Sequence, residues 1–123
     1  MIRGIVFTHA GLGQAFCEAV ESFLGPQEDL IGLSNAQLDA ESMPGALAEA
    51  AGAASDGIII FTALYGGSCW QAAERFCRQR PDAWHLTSVN LPMLLAFASK
   101  RATVSAPALL ELLRTYCGEG VRS

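Results

Sequence analysis

The sequence predicts an α/β fold, a single doubly wound domain of three layers around a mainly parallel four-stranded sheet. Runs typical of buried strands alternate along the chain with segments whose apolar residues recur every three or four positions. The run GIIIF, 57–61, is apolar almost throughout, as suits a strand covered on both faces. Strands and helices that alternate at this spacing favour right-handed crossovers in a parallel sheet. A chain of 123 residues, 51% of them hydrophobic, can build one core. We therefore expect one domain over 1–123.

The first half of the chain predicts two strands and two helices. A strand over 2–8 precedes an amphipathic helix that begins near Leu12 and ends where Gly25 and Pro26 interrupt it. A short second strand follows over 29–33. An alanine-rich helix comes next, with Ser42 near its cap and Pro44 in its first turn.

The second half of the chain continues this alternation. The third strand, 57–61, leads through the turn TALYGGS into a helix over 69–80. A fourth strand is predicted over 83–89, and a helix follows Asn90, with Pro92 near its first turn. A last helix spans 106–116.

Composition excludes several classes of function. The net charge is −4 and the eight Lys and Arg residues are scattered, which argues against nucleic acid as a partner. Neither a secretory signal nor an apolar run long enough to span a membrane is recognisable, so we expect a cytoplasmic protein without membrane insertion. The cysteines lie far apart with no C-x-x-C pair, which predicts no metal site: Cys17, Cys69, Cys77 and Cys117. No nucleotide-binding glycine motif is present, and no cofactor is predicted.

Four loops are expected at one edge of the sheet, because the carboxyl ends of parallel strands meet there and bind ligands. Their sequences are THAGLG, SNAQLDAES, TALYGGS and VNLP. Polar residues in or beside these loops thereby become candidates for a site: His9, Ser34, Asp39, Ser68 and Asn90.

The loop YGGS directly precedes a predicted helix. A helix amino terminus exposes unpaired N–H groups and partial positive charge, so Gly66, Gly67 and Ser68 could hold a phosphate, and Gly11 before the first helix could do the same. Imidazole is nucleophilic near neutral pH, so His9 beside these termini could accept a phosphoryl group. The alternatives are an ordinary glycine turn, a helix cap at Ser68 and a structural histidine.

Taken together, these loops resemble the mannose-type IIA domain of the bacterial phosphoenolpyruvate-dependent sugar phosphotransferase system. The resemblance rests on THAGLG with its histidine after the first strand, on GIIIFTALYGGSCWQAA, and on VNLPML at the start of the fourth helix. It extends over nearly the whole chain in the same order, including AVESFLGPQEDL between the first helix and the second strand.

The resemblance implies a cytoplasmic homodimer that carries a phosphoryl group for sugar transport. His9 would accept the group from the small phosphocarrier protein and pass it to a IIB component. Gly67 and Ser68 would belong to the phosphate-receiving loop, and Tyr65 would flank it. Asn90 would open the family's N-[IL]-P-M motif, which supports the site and the dimer contact.

The chain departs from this family at two site positions. Ala63 stands where the family usually has an aspartate that orients the histidine, and Asp39 or Glu41 of the neighbouring loop are the candidates to replace that carboxylate. Ala10 stands where the family commonly has glycine. The carboxyl end, CGEGVRS, leaves room only for a stub in place of the further strand that family members often exchange between subunits.

Three other functions stay open. One is a regulatory or interaction module of the same fold that has lost phosphotransfer, which Ala63 favours. Another is the phosphotransfer subunit of dihydroxyacetone kinase, with a similar fold and a similarly placed histidine. The third is an unrelated small-molecule binding domain. Among the remaining residues, Cys69 lies in a glycine turn that allows exposure, Trp70 could line the site or pack its helix, and His85 is expected to be a surface or packing residue away from the site.

Overall fold

Four strands and five helices alternate along the computed structural model, which describes residues 1–53 and 56–117. The strands are β1 (Arg3–Thr8), β2 (Leu30–Ser34), β3 (Ile58–Phe61) and β4 (Ala83–Leu86). The helices are α1 (Leu12–Leu24), α2 (Met43–Ala51), α3 (Ser68–Gln79), α4 (Leu91–Lys100) and α5 (Ala106–Arg114). The predicted α/β fold is confirmed, and the order of the elements agrees with the sequence pattern.

The four strands form one sheet in the order β2-β1-β3-β4, and each neighbouring pair runs parallel. In this order β1 is flanked by β2 on one side and β3 on the other. Thr8 at the end of β1 pairs with Ser34 at the end of β2. The segments that follow β2 and β3 therefore both lie next to the segment that follows β1.

Helices cover both faces of the sheet, which gives the three layers that the sequence predicts. One hydrophobic cluster joins side chains of α1, α4 and α5 to one face of the strands, and its fully buried aromatic residues are Phe61 and Phe97. The other cluster joins α2 and α3 to the opposite face through side chains such as Ile60, Leu47 and Ala73. Because both faces are covered, all four residues of β3 are buried.

Helix α1 approaches the sheet closely at two glycines, where a side chain would not fit. A Cβ atom placed on Gly13 would lie 2.3 Å from the carbonyl oxygen of Val6, and one placed on Gly32 would lie 2.6 Å from Cα of Gln14. The hydroxyl of Thr8, itself buried, accepts a 2.6 Å hydrogen bond from the Gly13 N–H. These contacts fix the start of α1, and with it the turn at residues 9–11.

The predicted boundaries agree with the observed ones to within one or two residues for most elements. Strand β4 is shorter than predicted, since it ends at Leu86 and Ser88 adopts a positive φ of 57°. The segment after Cys117, where the sequence predicts only a stub, lies outside the described residues. In the part of the chain that the structure describes, every helix is too short or too polar to cross a membrane.

Candidate functional site

His9 directly follows β1 and its side chain is exposed at the carboxyl edge of the sheet. Ala10 after it has φ +51°, in the left-handed region that L side chains rarely adopt. This conformation turns the chain into the amino terminus of α1 and explains why glycine would suit position 10. The predicted position of His9 at this edge agrees with the structure.

Asn35 contacts the imidazole from the side of β2. Its backbone N–H donates to the carbonyl oxygen of Thr8 at 3.0 Å, which continues the pairing of β1 with β2 by one residue. Its side chain makes two contacts: Oδ1 accepts from the Ala10 N–H at 3.2 Å, and Nδ2 lies 2.7 Å from His9 Nδ1. Sequence reasoning missed Asn35. The available signal was a polar residue one position beyond β2, beside the histidine that lies one position beyond β1.

The glycine loop, residues 62–67 between β3 and α3, lies beside the imidazole on the side of β3. A Cβ atom placed on Gly67 would lie only 3.3 Å from His9 Nε2, so any side chain there would occupy the space in front of this nitrogen. Gly66 has φ +82°, which favours glycine, and its carbonyl accepts a hydrogen bond from Gln71 Nε2 at 3.1 Å. The structure thus places Gly67 beside His9, and Gly66 precedes it in the loop.

Two helix amino termini lie beside His9. Gly11 is the N-cap residue of α1 and Gly67 is that of α3, and neither helix has an acidic residue in its first turn. The positive ends of both helices are therefore not offset by their own carboxylates, which favours an anion nearby. Ser68 is the first residue of α3 and is exposed, so the interpretation of Ser68 as the cap is wrong by one position.

Other predicted site residues have structural partners of their own. Asp39 Oδ1 accepts from the N–H groups of Glu41 and Ser42, and these bonds lower the pKa of the Asp39 carboxyl group. Within residues 1–53 and 56–117, no carboxylate is hydrogen-bonded to the ring of His9, so neither Asp39 nor Glu41 replaces the aspartate absent at Ala63. Ala63 itself is partly buried against the core.

Asn90 caps α4 instead of contacting His9. Its Oδ1 accepts from the Met93 N–H at 2.9 Å, and its Nδ2 donates to the carbonyl oxygen of Tyr116 at 3.1 Å. These bonds join the start of α4 to the chain after α5. Pro92 follows at a position where its missing N–H costs no helical hydrogen bond.

The remaining residues around the glycine loop divide into a buried and an exposed set. Cys69 is 3% exposed, because it lies in the first turn of α3 and packs into the hydrophobic core. Burial raises the pKa of this thiol to about 11, which argues against a nucleophilic role. Tyr65 is 73% exposed and packs against Trp70 with ring centroids 4.8 Å apart, and Leu64 is also exposed. Trp70 therefore supports the aromatic side chain that projects beside the loop.

His85 lies in β4 and is almost fully buried, as a packing residue. Its Nδ1 lies 2.6 Å from Glu74 Oε1 and its Nε2 lies 2.7 Å from Thr62 Oγ1. Burial lowers the pKa of His85, and the hydrogen bond to Glu74 opposes that shift only in part. The carboxylate of Glu74 can only accept, so in a neutral ring the proton lies on Nδ1. The hydrogen bonds to Thr62 and Glu74 connect β4 to the start of the glycine loop and to α3.

Comparisons with known proteins agree with this architecture. The crystal structure of phosphotransferase system component EIIA from Streptococcus agalactiae has a TM-score of 0.91 and 22% identity, covering 100% of this chain and 97% of that one. The mannose/sorbose specific IIA subunit from Enterococcus faecalis has a TM-score of 0.87 and 18% identity, covering 98% of this chain and 92% of that one. At these identities the two structures establish the shared fold alone. None of the curated protein sequences compared with the chain matched it.

A sequence model of one protein family covers most of the chain. Its match extends over residues 4–113, from β1 to α5, and includes His9, the glycine loop and the segment after Asn90. The chain therefore belongs to the EIIA-man family, described as the PTS system fructose IIA component.

Proposed function

We propose that the protein is a phosphohistidine carrier of a sugar phosphotransferase system, with His9 as the residue that accepts the phosphoryl group. The observation that carries the proposal is the space between His9 Nε2 and Gly67, where a side chain would come within 3.3 Å of the ring nitrogen. A phosphorus atom bonded to Nε2 would lie beside the amino terminus of α3. Its oxygens could then accept hydrogen bonds from the unpaired N–H groups of that terminus.

The chemistry asks little more of the protein than positioning and charge stabilisation. Phosphoryl transfer proceeds in line, with the attacking and leaving atoms on opposite sides of phosphorus. An exposed imidazole at a sheet edge lets a donor approach from solvent. The amino termini of α1 and α3 would stabilise the negative charge of the transferred group, and no metal or cofactor is part of the proposal.

The surroundings of His9 suit a protein donor. Leu12 begins α1 and Leu64 and Tyr65 lie in the loop before α3, and all three are at least 46% exposed. Apolar side chains around an exposed reactive residue are typical of a surface that docks another protein. We propose the phosphocarrier protein of the system as donor and a IIB component as acceptor. The protein that carries His9 would act in the cytoplasm as a homodimer.

The test is transfer of a phosphoryl group to the purified protein. Incubation with phosphoenolpyruvate, the first enzyme of the system and its phosphocarrier protein should add one acid-labile phosphoryl group, seen by intact-mass spectrometry. His9→Ala should abolish the gain, whereas His85→Gln should retain it because His85 is buried away from solvent. The absence of a gain with an active carrier protein would instead favour a regulatory module of this fold that has lost the chemistry.

A further inference from the structure

The hydrogen bonds of Asn35 determine which nitrogen of His9 carries the proton. A backbone N–H can only donate, so the 3.2 Å contact from Ala10 requires the oxygen of the Asn35 amide to face Ala10. The amide NH₂ must then face His9 Nδ1, at 2.7 Å. An NH₂ group can only donate, so Nδ1 accepts with its lone pair and, in a neutral ring, the proton lies on Nε2.

His85 provides the opposite arrangement in the same molecule. The carboxylate of Glu74 can only accept, so Nδ1 of His85 carries the proton and, in a neutral ring, Nε2 carries none. The chain has two histidines, and their partners assign them opposite neutral tautomers. The difference arises because Nδ1 of His9 is hydrogen-bonded to an amide, whereas Nδ1 of His85 is hydrogen-bonded to a carboxylate.

We infer that Asn35 is a positioning residue that keeps the proton of unphosphorylated His9 on Nε2, the nitrogen facing Gly67, and so slows transfer of a phosphoryl group to and from this ring. The inference about rate rests on the proposed function. The inference about the proton does not, since it follows from the two hydrogen bonds of the Asn35 side chain alone.

The transfer balances as follows. The Nε2–phosphorus bond forms as the phosphorus–nitrogen bond of the donor breaks, and the donor nitrogen keeps the electron pair of that bond. The proton leaves His9 Nε2 for the donor nitrogen, directly or through solvent, so that both rings end neutral. While Nε2 is protonated, it has no free lone pair with which to attack phosphorus. In the other neutral tautomer the proton lies on Nδ1, and this nitrogen then loses the hydrogen bond that it accepts from Asn35.

The same contact opposes the return step. A phosphorylated ring leaves more readily when Nδ1 is protonated, because the imidazole then departs as a neutral group. The Asn35 amide donates to the Nδ1 lone pair and competes with that proton. A carboxylate at position 35 would instead accept from a protonated Nδ1 and leave Nε2 unprotonated, which favours both steps.

Nitrogen-15 NMR of the histidine rings tests the inference directly in the native protein. At mildly alkaline pH, where imidazoles are neutral, long-range proton–nitrogen correlations distinguish the two tautomers. We expect His9 to show a protonated Nε2 and His85 a protonated Nδ1, with His85→Gln assigning the signals. A His9 ring protonated on Nδ1 in the unaltered chain would overturn the inference without affecting the proposed function.

Asn35→Asp should invert the tautomer of His9 and leave that of His85 unchanged. Phosphorylation by the carrier protein should become about tenfold faster, the scale of one strong hydrogen bond. Gln37→Glu is the matched control, since it adds the same charge to the same loop at an exposed residue, whereas the hydrogen bond to the ring comes from Asn35. An equal acceleration by both variants would attribute the effect to charge and contradict the role of Asn35. If no variant is phosphorylated, the proposed function fails, while the NMR result still decides the position of the proton.

Discussion

At the scale of single residues, the two nitrogens of His9 have different surroundings. Nδ1 is hydrogen-bonded to Asn35, whereas Nε2 faces the backbone of Gly67 without an intervening side chain. Glycine suits position 67 because a side chain there would fill the space in front of Nε2. Its φ of −73° is accessible to every L residue, so conformational freedom is not the reason for glycine here.

This distinction makes Gly67→Ala an informative substitution. The added methyl group suits the backbone conformation but fills the space in front of Nε2, so the fold should persist while phosphorylation slows by at least about tenfold, or about 1.4 kcal/mol in activation free energy. The rate of phosphoryl uptake and the thermal midpoint would be measured together. Gly45→Ala is the control, because a Cβ atom there meets nothing within 4 Å. Unchanged uptake in Gly67→Ala would place the transferred group elsewhere.

At the scale of elements, His85 couples β4 to α3 through Glu74. Because burial lowers the pKa of the folded-state imidazole below its ordinary value of 6.5, the unfolded chain takes up a proton first as the pH falls. The stability contributed by the neutral ring is therefore present above pH 6.5 and declines as the pH falls toward and below the folded-state pKa.

We accordingly expect the free energy of unfolding to decrease as the pH falls below about 6.5 toward the folded-state pKa of His85. Urea denaturation at several pH values measures the free energy of unfolding of the unaltered protein and of His85→Gln. The difference between their pH dependences is the part that comes from His85. Glu74→Gln should extend the decrease to lower pH, because Glu74 opposes the effect of burial and its removal lowers the pKa of His85 further. An identical pH dependence in the unaltered protein and His85→Gln would contradict the assignment.

At the scale of the whole molecule, the buried Arg101 joins the parts of the chain that meet at the amino end of the sheet. Its guanidinium donates to the carbonyl oxygens of Ile2, Glu28 and Asp29 and to Oε1 of Gln27. The entrances to β1 and β2 are thereby tied to the end of α4, at the opposite end of the sheet from His9. The guanidinium also lies over the ring of Phe97, 5.2 Å from its centroid.

Arg101→Met should retain the packing of the stem and remove these hydrogen bonds. We expect a loss of about 3 kcal/mol in the free energy of unfolding, since several partly buried carbonyl groups would lose their donors. Arg114→Met makes the same change at an exposed residue of α5 and should stay within about 0.5 kcal/mol of the unaltered protein. Urea denaturation measures both changes. Equal losses in the free energy of unfolding would show that the hydrogen bonds of the buried Arg101 guanidinium do not stabilise the fold.

The predicted fold was confirmed because local patterns determine it. The buried strand 58–61 and the helix stop at Gly25 and Pro26 are visible in a few neighbouring residues. Asn35 could not be recognised in this way, because it lies 26 residues from His9 in the sequence. The register of β1 with β2 brings the two residues together. Cys69 was misjudged for a related reason: the side of the first turn of α3 that faces the core depends on how this helix packs on the sheet, which the neighbouring glycines do not reveal.

The order β2-β1-β3-β4 separates two properties of one imidazole ring. Asn35, which follows β2, donates a hydrogen bond to Nδ1 from one side, and Gly67, which follows β3, faces Nε2 from the other. Under the proposed function, substitutions in the loop after β2 would therefore adjust how readily the ring accepts a phosphoryl group, whereas those in the loop after β3 would adjust what fits against it. A designer could exchange either loop between relatives and transfer one property at a time.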